Sequence, residues 1–168
     1  IDSACRIDLA DLAAKADASG AKFLMLSHMR GHIADMEAIQ AICESRGIVM
    51  IEDCAHTMGA RWNGVLSGNF GHIACFSTQT YKHMNSGEGG LLTTNDPEIA
   101  ARATILSGSY MLYDRHGAGP DAAAFADVRL TTPNCSGRMD NMRAALLRAQ
   151  LPDLPSKIDA WNRRYAIL

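Results

Sequence analysis

With 168 residues, 48% of them hydrophobic, the chain can bury one sizeable core, and a single domain is the default. A formal net charge of −2, a pI near 6.3 and scattered basic residues give no electrostatic basis for binding nucleic acid or an anionic membrane. The five cysteines include no C-x-x-C pair, and three lie inside apolar segments, the usage expected of a reduced, cytoplasmic protein.

Residues 8–19 place Leu9, Leu12, Ala13 and Ala16 on one face, which predicts a short amphipathic helix ended by Gly20. "KFLMLS" (22–27) reads as a buried strand. Asp35 is the expected cap of a helix carrying Met36, Ile39, Ile42 and Cys43, with Gly47 as its stop. "IVMIED" (48–53) is a second buried strand, and strand, helix, strand with apolar cores predicts parallel pairing. "RWNGVL" (61–66) carries an Asn-Gly hairpin turn.

"HIACFS" (72–77) and "GGLLTTN" (89–95) read as two further strands. Asp96 followed by Pro97 and Glu98 marks a helix start. Residues 107–137 read as a long irregular connection, and residues 138–151 as a helix. Pro152 and Pro155 are then expected to break the chain before a last helix near Ser156. No apolar run approaches a membrane span, and "IDSACRIDLADL" is no signal peptide. The absence of an initiator Met and the helical "KIDAWNRRYAIL" at the end suggest a piece of a longer chain.

Two strings carry chemistry-bearing residues. In "VMIEDCAHTMGA" an apolar strand runs into Glu52 and Asp53, which puts Asp53 at the strand's carboxyl end, the edge where open α/β sheets hold ligands. In "FSTQTYKHMNSGEGG" the lone Lys82 stands between an apolar run and a Gly-rich turn. Taken singly, the two carboxylates read as solvated charges, Lys82 as a loop lysine and His56 as a hydrogen-bonded histidine. The glycines follow the lysine, so the turn is neither a Walker loop nor a dinucleotide fingerprint; it serves to return the chain to the sheet behind Lys82. His28, His32 and Asp35 mimic metal-ligand spacing, but Gly31 interrupts them and no helix pattern covers them, so no metal site is expected.

Taken together, "EDCAHTMGA", "FSTQTYK" and "GEGG" occur in an order and at distances that resemble the DegT/StrS-like (DnrJ-type) family of sugar aminotransferases. The likeness extends through "SHMRGHIADMEAI", "NDPEIAARATIL" and "RMDNMRAALLRAQL". It implies an α/β fold with a mainly parallel sheet flanked by helices, the large-domain part of the pyridoxal phosphate (PLP)-dependent aminotransferase (fold type I) architecture. Residues 1–151 would be the PLP-binding core without its N-terminal part. Residues 152–168 would begin the helix leading to a C-terminal small domain.

By that resemblance Lys82 is the Schiff-base lysine and proton carrier, and Asp53 the partner of the pyridine nitrogen. His56 would lie near the ring and its 3′-oxygen, and Ser77 would bind the phosphate. Where the family carries N-x-R-M, Ser136 aligns with the asparagine and Asn134 stands two residues earlier; either is a candidate to reach the neighbouring subunit's cofactor phosphate. Thr78 and Gln79 replace an aromatic residue and a histidine. The implied activity moves an amino group from an amino acid, glutamate by analogy, to a nucleotide-linked keto sugar in a cytoplasmic homodimer with shared sites. Two alternatives stay open: a PLP-dependent sugar dehydratase, although those relatives replace the lysine with histidine, and a non-catalytic PLP-binding sensor or scaffold.

Overall fold

The computed structural model of the chain describes residues 1–108, 113, 117 and 119–167. Its centre is a four-stranded sheet in the order β1 (Phe23–Ser27), β2 (Val49–Asp53), β5 (Ile73–Ser77), β6 (Gly90–Thr93). The pairs β1–β2 and β2–β5 are parallel, and β6 returns antiparallel to β5. A hairpin of β3 (Arg61–Trp62) and β4 (Val65–Leu66) stands apart, turning through Asn63 and Gly64 with both φ positive, as the Asn-Gly pair predicts. Among the described residues, no helix is long and apolar enough to cross a membrane.

Aspartates start the helices. Asp8 caps α1 (Leu9–Ser19) on the Asp11 N–H, and Asp35 caps α2 (Met36–Glu44) on the Ala38 N–H. Asp96 caps α3 (Pro97–Ser107), and Asp140 caps α5 (Asn141–Gln150). Each cap satisfies an orphan backbone donor, an effect of about 1 kcal/mol. The main core gathers Met36, Ile39 and Cys43 of α2 with Leu26, Ile48, Met50 and Phe70. Strand alternation turns Phe23 and Met25 to the other side of the sheet, where they are 69% and 71% exposed. Cys75 is also exposed on its strand, so its place in an apolar run did not make it a core residue, whereas Cys43 and Cys54 are buried.

Three expectations need correction. The connection over 107–137 falls partly outside the described residues, but it is not wholly irregular. It contains a 3₁₀ turn at Ala122–Phe125 and α4 (Val128–Thr131), whose Phe125 and Val128 pack on Ala101 and Ile105 of α3. Nor do Pro152 and Pro155 break the chain. Pro152 lies in a 3₁₀ turn at Leu151–Asp153, and Pro155 in the first turn of α6 (Leu154–Tyr165), where a missing N–H costs nothing. The fifth helix also starts later than residue 138, because Asp140 is its cap.

Candidate cofactor site

Parallel register brings the site residues to one edge. Ser27 pairs with Asp53, and Asp53 with Cys75, so the carboxyl ends of β1, β2 and β5 lie side by side with Ser77 at the end of β5. The Asp53 carboxylate is held on both oxygens: Oδ2 accepts from Ser27 Oγ at 2.8 Å, and Oδ1 from the Ala55 N–H at 3.1 Å. It is half-buried and fixed in direction, which suits a carboxylate that must face one ligand atom.

The adjacent Glu52 points the opposite way and is fully buried. The two acids are therefore not a solvated pair. Glu52 accepts from the N–H groups of Gly68, Phe70 and Gly71 at 2.9, 2.8 and 2.6 Å, and its Oε2 lies 3.1 Å from His28 Nε2. Burial pushes its pKa up, but the contacts with His28, Gly71, Gly68 and Phe70 outweigh burial and hold it below the ordinary glutamate value.

His28 is thereby a core partner of Glu52, and Asp35 is a helix cap. His28 Nε2, Glu52 Oε2 and Cys54 Sγ do lie within 4.8 Å of one another. Burial pushes the Cys54 thiol up to about 11, and the Glu52 oxygens are engaged by backbone donors, so the trio is a hydrogen-bonded core cluster.

His56 follows β2 with its Nδ1 accepting from the Arg30 N–H at 3.2 Å. That assigns the neutral ring's proton to Nε2, which becomes a donor. Arg30 itself is left-handed, with φ 58° and ψ 19°, a conformation that residues with a β-carbon avoid.

Lys82 sits in the loop between β5 and β6, which is bound across its neck by Thr78 N–H to Gly89 O at 2.9 Å and Thr80 N–H to Gly87 O at 3.0 Å. Gly89 has φ +134°, and a β-carbon there would meet Thr78 Oγ1 at 2.7 Å, so the glycine turn does return the chain to the sheet. Thr78 is fully buried and accepts from Ser86 Oγ, while Gln79 Oε1 accepts the Tyr81 N–H, so both departures from the family pattern have local structural roles. Lys82 is half-buried, and its ammonium has no hydrogen bond or ion pair among the described residues.

His83, next to Lys82, has its pKa lowered, first by burial and then by the charges of His56 and Lys82. His83 and His56 line one cleft, which brings the loop beside the segment after β2. Ser77 Oγ accepts the Gln79 N–H at 3.2 Å, which leaves its hydroxyl proton available to a ligand. An unpaired amine, a fixed carboxylate, an Nε2–H donor and a hydroxyl at one sheet edge fit the donor set that PLP requires.

Asn134 is not joined to this group. Its Oδ1 accepts from the Ser136 N–H at 2.8 Å, close to Gly108 at the end of α3, and its side chain is exposed. Sequence reasoning missed Gln150, whose carboxamide accepts the Asn85 N–H at 3.1 Å and donates to the Asn85 carbonyl at 2.7 Å, tying α5 to the Lys82 loop. It also missed Arg30 and His83, which together with His56 line a cleft beside the site. Arg30 gave no signal, since a left-handed arginine is not readable from composition.

Comparison with known proteins identifies the family and the fold. A pleiotropic regulatory protein of Geobacillus stearothermophilus is 34% identical over 146 residues, covering 85% of this chain and 34% of that protein. The dTDP-3-amino-3,4,6-trideoxy-alpha-D-glucose transaminase of Streptomyces venezuelae is 32% identical over 94% of this chain and 37% of its own length. The crystal structure of 3-amino-5-hydroxybenzoic acid (AHBA) synthase superposes with a TM-score of 0.75 at 31% identity, over 95% of this chain and 39% of that one. The chain thus spans about a third of the length of these curated relatives, 34% and 37%. The family model matches residues 1–168 throughout, and the chain belongs to the DegT/DnrJ/EryC1/StrS aminotransferase family.

Proposed function

We propose that the chain is the cofactor-holding part of a PLP-dependent aminotransferase that moves an amino group from an amino acid, glutamate by analogy, to a keto sugar carried on a nucleotide. The observation that carries this reading is Lys82: a half-buried residue whose amine has no hydrogen bond or ion pair among the described residues, on a loop clamped at its neck and to α5, where the next residue, His83, lines a cleft together with His56 beside Asp53's strand end. When bound, PLP supplies an aldehyde that captures amines and a ring that takes up electrons.

The residues supply the rest. Lys82 Nζ would be the amine that holds the cofactor and, once released, the base that moves a proton. The Asp53 carboxylate, held by Ser27 and Ala55, would keep a proton on the pyridine nitrogen. His56 Nε2–H would serve as a donor near the ring and its 3′-oxygen, and the Ser77 hydroxyl would bind the phosphate. In this reading the active unit is a cytoplasmic homodimer, with Asn134 or Ser136 serving the neighbouring copy's phosphate.

A second reading is favoured by the name of the regulatory relative, namely a protein that binds PLP as a sensor and does not turn over. The deciding experiment is an absorption spectrum with PLP, then borohydride reduction and peptide mapping. A visible band trapped on Lys82, discharged by glutamate, supports the transferase. A Lys82-trapped band that no amino acid discharges supports the sensor. Label spread over several lysines sinks both.

A further inference from the structure

A cleft of about 770 Å³ opens between the segment that follows β2 and the middle of α6. Both tryptophans of the chain, Trp62 and Trp161, line it. Arg30 and Arg61 also reach it, and among the described residues Asp159 of α6 is the one carboxylate in its lining. Neither guanidinium is paired with a carboxylate among the described residues; Arg61 Nη1 donates to the Gly64 carbonyl at 2.6 Å. Two guanidinium groups against one carboxylate leave the cleft short of one negative charge.

Two local features point to a ligand rather than to solvent. His83 stands edge-on to Trp161, with ring centroids 4.8 Å apart, and its Nδ1 is buried without a hydrogen-bond partner among the described residues. A buried polar atom left unpaired is costly, and a ligand's polar group would satisfy it. Arg30 holds the left-handed conformation described above, with its N–H on His56 Nδ1. Backbone strain of this kind persists where the surroundings enforce it, and here it aims an arginine at the cleft next to the candidate cofactor site.

We propose that this cleft is a carboxylate-binding subsite, in which the Arg30 guanidinium grips the carboxylate of a small-molecule ligand, Arg61 adds a second positive charge, and His83 Nδ1 bonds a further polar group of the same ligand. The planar fork of arginine matches a carboxylate, and the two indoles give apolar walls for the ligand's carbon skeleton. One surplus positive charge matches one carboxylate better than it matches a pyrophosphate. The identity of that ligand rests on the transferase reading, which makes it the amino-acid donor or its keto-acid product; the subsite itself rests on the cleft.

Isothermal titration of the full-length, PLP-loaded protein with 2-oxoglutarate tests this, because that ligand has no amino group to transfer. Arg30→Gly removes the guanidinium and suits the left-handed backbone, so the fold is retained. It is expected to weaken binding by roughly tenfold or more, with Arg30→Lys intermediate. Unchanged affinity in both Arg30→Gly and Arg61→Gln, no binding to the unaltered protein, or tighter binding of inorganic pyrophosphate than of 2-oxoglutarate would each overturn the assignment. Repeating the titration with the Lys82→Ala protein separates the two proposals. If Lys82 is not the labelled residue yet Arg30-dependent binding persists, the cofactor reading falls and the subsite stands.

Discussion

Ser27 Oγ donates to Asp53 Oδ2 at 2.8 Å across two parallel strands whose register sets these residues side by side. The serine therefore fixes the direction of the carboxylate most important to the candidate site. Ser27→Ala removes that bond but leaves the Ala55 N–H on Oδ1. The expected loss of stability is about 1 kcal/mol or less. The informative measurement is the visible spectrum of the PLP-loaded variant, whose band should shift toward shorter wavelength as control of the ring nitrogen's proton weakens. An unaltered spectrum would mean that Asp53 needs no help from Ser27.

Gln150 belongs to α5, yet it completes the hydrogen bonding of the Asn85 backbone on the Lys82 loop. Gln150→Ala leaves a partly buried N–H and carbonyl without partners, which costs about 1–3 kcal/mol. Because the loss is local, amide hydrogen exchange should quicken in residues 80–89 before it does in β1 and β2. Uniform quickening across the sheet would count against a local clamp.

Glu52 gives the acid limb of the stability curve a predicted shape. Its folded-state pKa lies below the ordinary value of 4.5, so its charged form contributes stability above that value. The contribution is lost as pH falls through the lower folded value, because the proton then competes with His28 and the three backbone donors. Glu52→Gln should destabilise the protein near neutrality by about 3 kcal/mol, since it removes the charge from a buried, fully bonded cluster. The variant should also show a flatter stability profile below pH 4.5. Chemical denaturation at a series of pH values reads both effects, and parallel profiles for the two proteins would remove Glu52 from the account.

Gly59 carries φ +84°, and a β-carbon there would run into Ile158 of α6. Gly59→Ala combines left-handed strain with overpacking, at an expected cost of about 1–3 kcal/mol. The damage should appear as looser docking of α6, seen as a change in Trp161 fluorescence at temperatures where β1 and β2 remain protected. Gly64→Ala is the control, since it has the same φ of +84° and nothing within 4 Å of the added carbon.

Much of this fold was legible in the chain because its determinants are local. Asp35 and Asp96 each bond an N–H two or three residues ahead, so a cap can be read from a short window. Asn63-Gly64 dictates its own turn, and the ordered strings around Asp53 and Lys82 pointed to the family now matched over residues 1–168. Reading the prolines at 152 and 155 as breaks failed for a local reason too, since a first-turn proline is compatible with helix and only the path of the chain reveals where the first turn is.

What tertiary structure alone decided are the relations between distant residues. Strand alternation separates Glu52 from Asp53, but only the packed sheet shows which face is buried and which meets a ligand. The Gln150–Asn85 clamp joins residues 65 apart, and the Glu52 anchor reaches residues 16 to 19 positions on. The Arg30–His56 bond fixes a tautomer through a backbone conformation that no composition encodes. The sequence by itself determined the starts of α2 and α3, the hairpin and the family, because those signals are short-range. The direction of each site carboxylate, the partner of each loop and the cleft between Arg30 and Trp161 arise from packing energies summed over contacts that exist only once the chain has folded.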